Sequence, residues 1–493
     1  MSHRDRARRP ERSARGSAVR ISRTMPQVKL ATVNNEVDTA LYEVRKKIYP
    51  RAVHGWFARW RVALVLLTQA IYYGLPWLDW NGRQAVLFDL GARKFYIFGG
   101  VFWPQDFIFL AALLVISALS LFLFTAVAGR LFCGYACPQT VYTEIFMWIE
   151  RWIEGDRLQR MRLDKSALGT RKIALKAAKH AVWIALALWT GFTFVGYFTP
   201  IDVLAAEVVH ADLGGWEQFW ILFYGFATYG NAGWMREQVC KYMCPYARFQ
   251  SVMFDQDTLV ITYDAQRGEP RGGRSRSADH RSAGLGDCVD CGICVQVCPT
   301  GIDIRRGLQY ECIGCAACID GCDQVMEKMG YPKGLIRYST ANAMKRGQRE
   351  VRLLHELTRP RVLIYTALLV AIVTAFTAGL YTRSPLKVDV IRDRGALVRE
   401  TRDGLVENVY RLQLMNTDER AHRYAISASG LQGLAVIVEQ PVQVAAATTQ
   451  AVAVALRIDP AGVAVGSHTV VFHVEDADDS TIRRDEKSRF FIK

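Results

Sequence analysis

The twelve cysteines of this 493-residue chain carry its most specific chemical pattern, because each falls in a C-x2-C or C-x3-C spacing. Eight of them form two runs of the form C-x2-C-x2-C-x3-C, at residues 288–298 and 312–322. In two-cluster ferredoxins the first three thiolates of such a run bind one iron–sulfur cubane, and the fourth reaches the other cluster. The spacing therefore predicts two 4Fe–4S clusters, one bound by Cys288, Cys291, Cys294 and Cys322, the other by Cys312, Cys315, Cys318 and Cys298.

Zinc is the alternative occupant of these eight thiols. Zinc patterns normally use two C-x2-C pairs that lie further apart, so two complete quartets favour iron–sulfur clusters. A proline follows the first run, at Pro299, whereas Asp323 follows the second. This departure weakens the second motif only slightly, because the proline is not a ligand.

The remaining four cysteines form an internal repeat of the pattern C-x-Y-x-C-P, at residues 133–138 and 240–245. Thiols four residues apart on a helix share one face, which suits two sulfurs on one soft metal ion or a dithiol that cycles with a disulfide. The neighbouring Arg130, Arg236 and Lys241 are expected to favour the thiolate form. Buried, inert thiols are the alternative, but two matched pairs in a chain with no other free thiol favour a function. The predicted functional thiols are Cys133, Cys137, Cys240 and Cys244.

Elements that could position these thiols are visible in the hydropathy. The chain is 51% hydrophobic, and five apolar stretches occur at 61–78, 106–128, 180–198, 216–234 and 362–381. Each approaches the roughly 20 residues that a membrane-spanning helix needs, although the first and fourth are interrupted by polar residues or proline. A sixth stretch, 141–153, is amphipathic and predicts an interfacial helix.

The charge of the loops predicts the topology. Residues 129–179 hold ten Lys and Arg, whereas 199–215 hold none. The positive-inside rule then places the N-terminus, 129–179 and 235–361 in the cytoplasm, and the segment after 382 outside. Most of the net charge of +15 is thereby explained by topology and contact with membrane lipid, and no nucleic-acid partner is expected.

The fold class predicted is a multi-domain membrane protein: an α-helical transmembrane bundle of about five spans, a ferredoxin-like two-cluster insert and a C-terminal all-β immunoglobulin-like sandwich. The sandwich is indicated by about seven short Val/Ile-rich runs separated by turn residues. The predicted domains are a basic cytosolic tail (1–60), a four-span membrane domain (61–260), a flexible linker (261–287), a two-cluster ferredoxin domain (288–345), a fifth span (361–382) and the sandwich (388–493).

This combination closely resembles the cytochrome oxidase accessory family called CcoG, also FixG or RdxA. The sequences RQAVLFD at 83–89, FYIFG at 95–99 and FWPQD at 102–106 look like the first outward loop of that family. The resemblance implies a multi-pass protein of the bacterial inner membrane, with its N-terminus and ferredoxin domain in the cytoplasm and its C-terminal domain in the periplasm. It further implies an oxidoreductase, a cupric reductase that converts Cu(II) to Cu(I) during assembly of the cbb-type oxidase. Copper would be substrate or transient ligand, and the copper-handling thiols would be Cys133, Cys137, Cys240 and Cys244.

The implied partners are copper-delivery proteins and cbb-type oxidase subunits, while the electron donor is left open. Two other functions compete with this one. A quinol-dehydrogenase relay of the NapH type shares the paired cysteine-proline motifs and the ferredoxin quartets. An assembly scaffold with purely structural clusters is the second alternative.

Overall fold

The computed structural model describes residues 47–276, 284–348, 357–393, 395 and 398–493. Ile48–Lys493 form one compact unit, which contains all twelve cysteines. Most of the predicted basic tail lies outside the described residues. Its last part is not a free tail, because the backbone N–H of Arg51 donates to the Gln296 carbonyl at 2.8 Å.

Helices dominate the described residues up to Tyr381. In chain order they are α1 (Trp56–Gly74), α2 (Phe107–Ala128), α3 (Leu131–Tyr135), α4 (Pro138–Glu154), α5 (Arg157–Lys165), α6 (Thr170–Val195), α7 (Ile201–His210), α8 (Gly215–Thr228), α9 (Pro245–Met253), α10 (Ala265–Gly268), α11 (Ile293–Gln296), α12 (Ala317–Met329), α13 (Ala341–Lys345) and α14 (Pro360–Tyr381). Short 3₁₀ turns occur at Leu75–Trp77, Pro104–Asp106 and Ile304–Arg306, and π-helical turns at Tyr229–Met235 and Val239–Met243.

All five predicted spans are helical. Three helices of the described chain are long and apolar enough to cross a membrane, namely Pro104–Ala128, Thr170–Val195 and Pro360–Tyr381. The other two correspond to the weakest apolar stretches. Charged residues reduce the hydropathy of α1, and α8 has 14 residues before it continues as a π-helical turn. Both nevertheless carry large exposed apolar side chains, as a lipid-facing helix would.

The predicted amphipathic helix is present as α4, but its carboxylates face the protein interior. Phe146 stacks on Trp183 of α6 with ring centroids 5.1 Å apart. One turn further on, Glu150 is buried and pairs with Arg160 at 2.9 Å and with Arg236 at 3.1 Å. The polar side of α4 is therefore partly an internal ion-pair network rather than a surface in contact with water or lipid headgroups.

The ferredoxin domain begins earlier than the cysteine spacing predicts. Strand β6 (Val260–Tyr263) pairs antiparallel with β7 (Ile336–Ser339) and closes a core that includes Ile319 and Met326. The described part of the predicted flexible linker is folded, because Arg274 donates to the Gly286 carbonyl at 2.7 Å. Residues 277–283 of that linker lie outside the described residues.

The segment between α1 and α2 forms two small sheets, β1 (Asp79–Trp80) with β2 (Arg83–Gln84), and β3 (Val86–Asp89), β4 (Lys94–Ile97) and β5 (Gly100–Phe102). It packs on the C-terminal domain through Val101, Trp103 and Met415. Arg83 also pairs with Glu419 at 2.8 Å.

The predicted immunoglobulin-like sandwich is confirmed. Its strands are β8 (Leu386–Arg392), β9 (Arg399–Glu400), β10 (Val406–Asn416), β11 (His422–Ser429), β12 (Ala435–Ile437), β13 (Val442–Val444), β14 (Thr449–Ile458), β15 (Gly466–Asp476) and β16 (Arg483–Ile492). One sheet has the order β12-β14-β10-β8 with β9 on β10, and the other has the order β13-β11-β15-β16. Alternating residues of both sheets fill one core, with Tyr410 and Phe472 among the fully buried side chains.

Candidate electron-transfer site

Both C-x-Y-x-C-P motifs fold in the same way. In the first, α3 leads to Cys137, which is extended and caps α4, with Pro138 as the first helical residue. In the second, the π-helical turn leads to Cys244, which is extended and caps α9, with Pro245 as the first helical residue. Proline suits that position because its φ is helical and its missing N–H would have no intrahelical partner. The proline thus begins a new helix directly after each thiol pair.

The first motif touches the ferredoxin domain backbone to backbone. A Cβ atom added to Gly134 would lie 2.7 Å from the Cα of Cys315, and one added to Gly314 would lie 2.9 Å from the Arg130 carbonyl oxygen. Gly314 also has a φ of +70°, which favours glycine. Two glycines, one on each side, therefore permit this close approach. Neither glycine was singled out from the sequence. Their positions inside cysteine motifs were the signal that could have identified them.

The four thiols that the repeat predicts, called here the paired thiols, come together. Burial raises the pKa of Cys240 to about 12, and the thiols of Cys137, Cys133 and Cys244 raise it further. Burial likewise raises the pKa of Cys133 to about 11. The Cys133–Cys137 pair therefore lies close enough to the Cys240–Cys244 pair for a charge on one pair to shift a thiol pKa in the other. Among the described residues, no three His, Cys, Asp or Glu side chains are arranged to hold a single metal ion.

The expected thiolate stabilisation is only partly present. Arg130 lowers the pKa of both Cys133 and Cys240, but burial outweighs it at each thiol. Arg236 instead points its guanidinium at Glu150 and donates from Nε to the Gly233 carbonyl at 3.0 Å. Desolvation therefore controls these thiols more than their basic neighbours do.

Cys298 lies beside the second run of cysteines. Cys298, Cys312, Cys315 and Cys318, called here the inner quartet, line one small cavity whose other walls include Ile261, Ile302 and Ile304. Four thiols around one space in an apolar shell fit the needs of a 4Fe–4S cluster. Cys294 lines the same cavity and so brings the two groups of thiols next to each other.

Cys322 joins the first run. Burial raises the pKa of Cys322 to about 12, and further increases come from the thiols of Cys294, Cys291 and Cys288 and from Asp323. The members of this second group, called here the outer quartet, are Cys288, Cys291, Cys294 and Cys322. Cys291 is exposed, whereas the other three are buried.

The first cysteine of each pair lies next to the inner quartet. Cys133, Cys240 and Cys318 all pack against one apolar cluster that contains Cys315, Val297 and Ile313. The Arg61 guanidinium, buried at 8% exposure, donates to the Cys315 carbonyl at 3.1 Å. The paired thiols are therefore adjacent to the inner quartet rather than to the outer one.

Two further residues hold this arrangement, and sequence reasoning missed one of them. Gln250 of α9 is fully buried and accepts from the Cys133 thiol at 3.3 Å. Arg130, noted only for its charge, is buried and donates to the carbonyls of Tyr310 and Ala247. It joins the first motif to the ferredoxin domain on one side and to α9 on the other.

Comparison with known proteins supports this reading of the site. A family model described as "4Fe-4S dicluster domain" matches residues 235–341, and one described as "4Fe-4S binding domain" matches residues 110–155. Each of these matches includes one C-x-Y-x-C-P motif. A third model, described as "IG-like fold at C-terminal of FixG", matches residues 376–493.

Curated relatives match over most of the chain. Nitrogen fixation protein FixG of Rhizobium meliloti is 40% identical over 440 residues, which cover 83% of this chain and 84% of the relative. Protein RdxA of Cereibacter sphaeroides is 39% identical over 81% of this chain and 86% of its own length. The chain belongs to the FixG/RdxA family. Ferredoxin-type protein NapH of Haemophilus influenzae is 23% identical over 44% of this chain and 68% of its own length.

As a FixG/RdxA-family member, the protein is a membrane-type iron–sulfur electron-transfer protein with an immunoglobulin-like C-terminal domain. The outer quartet reaches solvent at Cys291, and the inner quartet lies beside the paired thiols through the apolar cluster around Cys315. The two ends of the ferredoxin domain thus differ in what they can contact.

Proposed function

We propose that this protein carries electrons through two 4Fe–4S clusters to the paired thiols, where Cu(II) is reduced to Cu(I) for assembly of a cbb-type cytochrome oxidase. The observation that carries the proposal is the packing of Cys133 and Cys240 against the apolar cluster that contains Cys315. Electron transfer is faster the closer its donor and acceptor lie, and this cluster brings the paired thiols close to the inner quartet.

The proposed cluster ligands are the outer quartet for one cluster and the inner quartet for the other. When bound, such clusters give and accept one electron at a time. The chain contributes the thiolates and a largely apolar enclosure around the inner quartet. Gly134 and Gly314 keep the distance between this enclosure and the first motif short.

Copper is the proposed substrate because its two oxidation states prefer different ligands. Cu(II) accepts one electron, and the resulting Cu(I) is a soft ion that favours thiolate ligands. Cys133, Cys137, Cys240 and Cys244 are the proposed copper-handling thiols, and their protons leave to solvent when copper binds. Burial raises the pKa of the Cys133 and Cys240 thiols, which keeps these two protonated at neutral pH until a metal displaces the proton.

The proposed location is the bacterial inner membrane, with the ferredoxin domain in the cytoplasm and the sandwich in the periplasm. This orientation is supported by the distribution of Lys and Arg between loops. Copper-delivery proteins and cbb-type oxidase subunits are the proposed partners, and the sandwich is the proposed surface for the oxidase subunits.

Anaerobic reduction of copper tests the proposal. The purified chain, reconstituted to about eight irons as two 4Fe–4S clusters require, is reduced with dithionite, freed of excess reductant and mixed with Cu(II) and a chromogenic Cu(I) chelator. We expect cluster absorbance to return to the oxidised spectrum as Cu(I) appears. The Cys133→Ser/Cys240→Ser variant should retain its iron and lose most of the copper reduction.

Three results would count against the proposal. Normal copper reduction by the serine variant would reject the role of the paired thiols. An iron content near twelve that falls to eight in the variant lacking all four paired thiols would show that these thiols bind a third cluster. Oxidation of a quinol without Cu(II) reduction would support a relay of the NapH type, whose named relative matches 44% of this chain.

A further inference from the structure

A cavity of about 80 Å³ lies between the second motif and the inner quartet, and we call it the vestibule. Cys240 lines one wall and Cys315 lines another. Of the four paired thiols, Cys240 is the one found among the described lining residues. The volume is enough for several water molecules, since one water needs roughly 10–15 Å³ of such space. The vestibule could therefore admit a small solute to Cys240, next to an inner-quartet ligand.

The walls of the vestibule carry an excess of positive charge. Its carboxylates are Glu144 and Glu237, and its arginines are Arg51, Arg61, Arg151, Arg160 and Arg236. Arg160 and Arg236 share Glu150, which lies just behind the wall, and Arg61 pairs with Glu144 at 3.7 Å. The arginines outnumber the carboxylates even when Glu150 is counted.

Some of these donors lack an acceptor. Arg61 is 8% exposed and Arg160 is 4% exposed, and the buried Nε–H group of each has no hydrogen-bond partner. An unsatisfied buried donor is costly, and a solute that accepts a hydrogen bond would remove that cost. Arg51, exposed, and Arg151, half-buried, have no ion pair with any residue that the structure describes. They provide positive charge that an anion can meet on entry.

We propose that the vestibule selects small anions, and that copper reaches Cys240 as a small negatively charged Cu(II) complex with carboxylate ligands rather than as the hydrated cation. That the anion is a copper complex rests on the proposed function, whereas the preference of the vestibule for anions does not. On reduction the Cu(II) gains one electron from the dithionite-reduced protein. The carboxylate ligands leave as anions, and two thiols that bind the Cu(I) release their protons to solvent.

Alkylation of Cys240 tests the anion preference without copper. The full-length protein with its clusters in place is treated at low ionic strength with iodoacetate, an anion, or with iodoacetamide, its neutral counterpart, and modification of Cys240 is followed by mass spectrometry. We expect the ratio of the two rates to fall about tenfold in Arg51→Glu/Arg151→Glu. The control Arg162→Glu/Arg171→Glu makes the same charge change at exposed residues outside the vestibule and should leave the ratio unchanged. An equal ratio in all three proteins would overturn the proposal.

Two copper complexes of similar size extend the test to the substrate. The Cu(II) bis-oxalate complex is a dianion, and the Cu(II) bis-glycinate complex is neutral. We expect Arg51→Glu/Arg151→Glu to raise KM at least fivefold for the oxalate complex, with little change in kcat or in KM for the glycinate complex. Equal changes for both complexes would overturn anion selection but leave copper reduction intact. Absence of copper reduction with either complex in the wild-type protein, beside a normal alkylation ratio, would reject the proposed function and retain the anion-selective vestibule.

Discussion

The two C-x-Y-x-C-P motifs share one backbone design but differ in what surrounds them. Each places an extended cysteine at a helix start, with proline as the first helical residue. The first motif is in backbone contact with the ferredoxin domain through Gly134, and its Arg130 bonds to carbonyls on two sides. The second motif has Lys241 at the position of Gly134, turns Arg236 toward Glu150, and exposes Cys240 to the vestibule.

This difference shows how an internal repeat can acquire two roles. The repeated residues determine the local turn and the spacing of the thiols. The unrepeated residues decide which motif docks the ferredoxin domain and which one meets solutes. The first motif is therefore a docking element, and the second is an access element.

The largest effect should come from removing the counter-ion of the second motif. Glu150 is 1% exposed and lies near Arg160, Arg236 and Lys179. Glu150→Gln leaves buried cations without their carboxylate, a change that typically costs about 3–5 kcal/mol. We expect a large drop in the unfolding midpoint in detergent. Glu144→Gln, on the same helix, removes only a 3.7 Å ion pair with Arg61 and should cost far less. Equal unfolding midpoints for the two variants would contradict the role of Glu150 as the buried counter-ion of the second motif.

The next largest effect should be on the rate of electron transfer through the first motif. Gly134→Ala places a Cβ 2.7 Å from the Cα of Cys315, so the ferredoxin domain must move away from the paired thiols. Overpacking of this kind costs about 1–3 kcal/mol. We expect a several-fold slower reoxidation of the dithionite-reduced protein by Cu(II), measured by stopped-flow absorbance.

The matched control for that variant is Lys241→Ala, at the equivalent position of the second motif. Lys241 already carries a side chain where the first motif has Gly134, so its replacement by Ala adds no atom to the backbone surroundings and should leave the reoxidation rate nearly unchanged. If both variants reoxidised at the same rate, the first motif would not be the docking element.

The smallest effect should come from removing the helix cap that Asp320 of the ferredoxin domain provides to α1. The Asp320 carboxylate of α12 accepts from the backbone N–H of Ala58 at 2.7 Å and of Phe57 at 3.3 Å, in the first turn of α1. Loss of such a cap costs about 1 kcal/mol. We expect Asp320→Ala to lower the unfolding midpoint by a few degrees and to slow copper reduction only slightly. Asp323→Ala serves as the comparison, because Asp323 bonds to Gly334 within the ferredoxin domain. A larger fall in the unfolding midpoint and in copper reduction for Asp323→Ala than for Asp320→Ala would contradict the role of Asp320 as the cap of α1.

Much of this arrangement could be predicted from the sequence, because it depends on the spacing of residues along the chain. The cysteine spacing predicted the grouping of Cys298 with the inner quartet and Cys322 with the outer one, as the pKa shifts and the shared cavity now indicate. Alternating Val and Ile runs predicted the sandwich. The ligand roles themselves stay a prediction.

The rest depends on contacts between distant segments. Nothing in the spacing places Gly134 against Cys315, since the two are far apart in the chain. Composition predicted a flexible linker after residue 260, but Arg274 there bonds to backbone carbonyls and holds the segment in place. In α4 the sequence indicated a polar face, and only tertiary packing turns Glu150 into a buried counter-ion.

The cap on α1 has a consequence for the order of biogenesis. The carboxylate that completes the start of the first apolar helix is 262 residues further along the chain than the amide it binds. A ribosome must therefore deliver four of the five apolar helices and most of the ferredoxin domain before the first helix acquires its final hydrogen bond. Asp320 lies between Cys318 and Cys322, so the segment that carries one thiol of each quartet also completes the first helix.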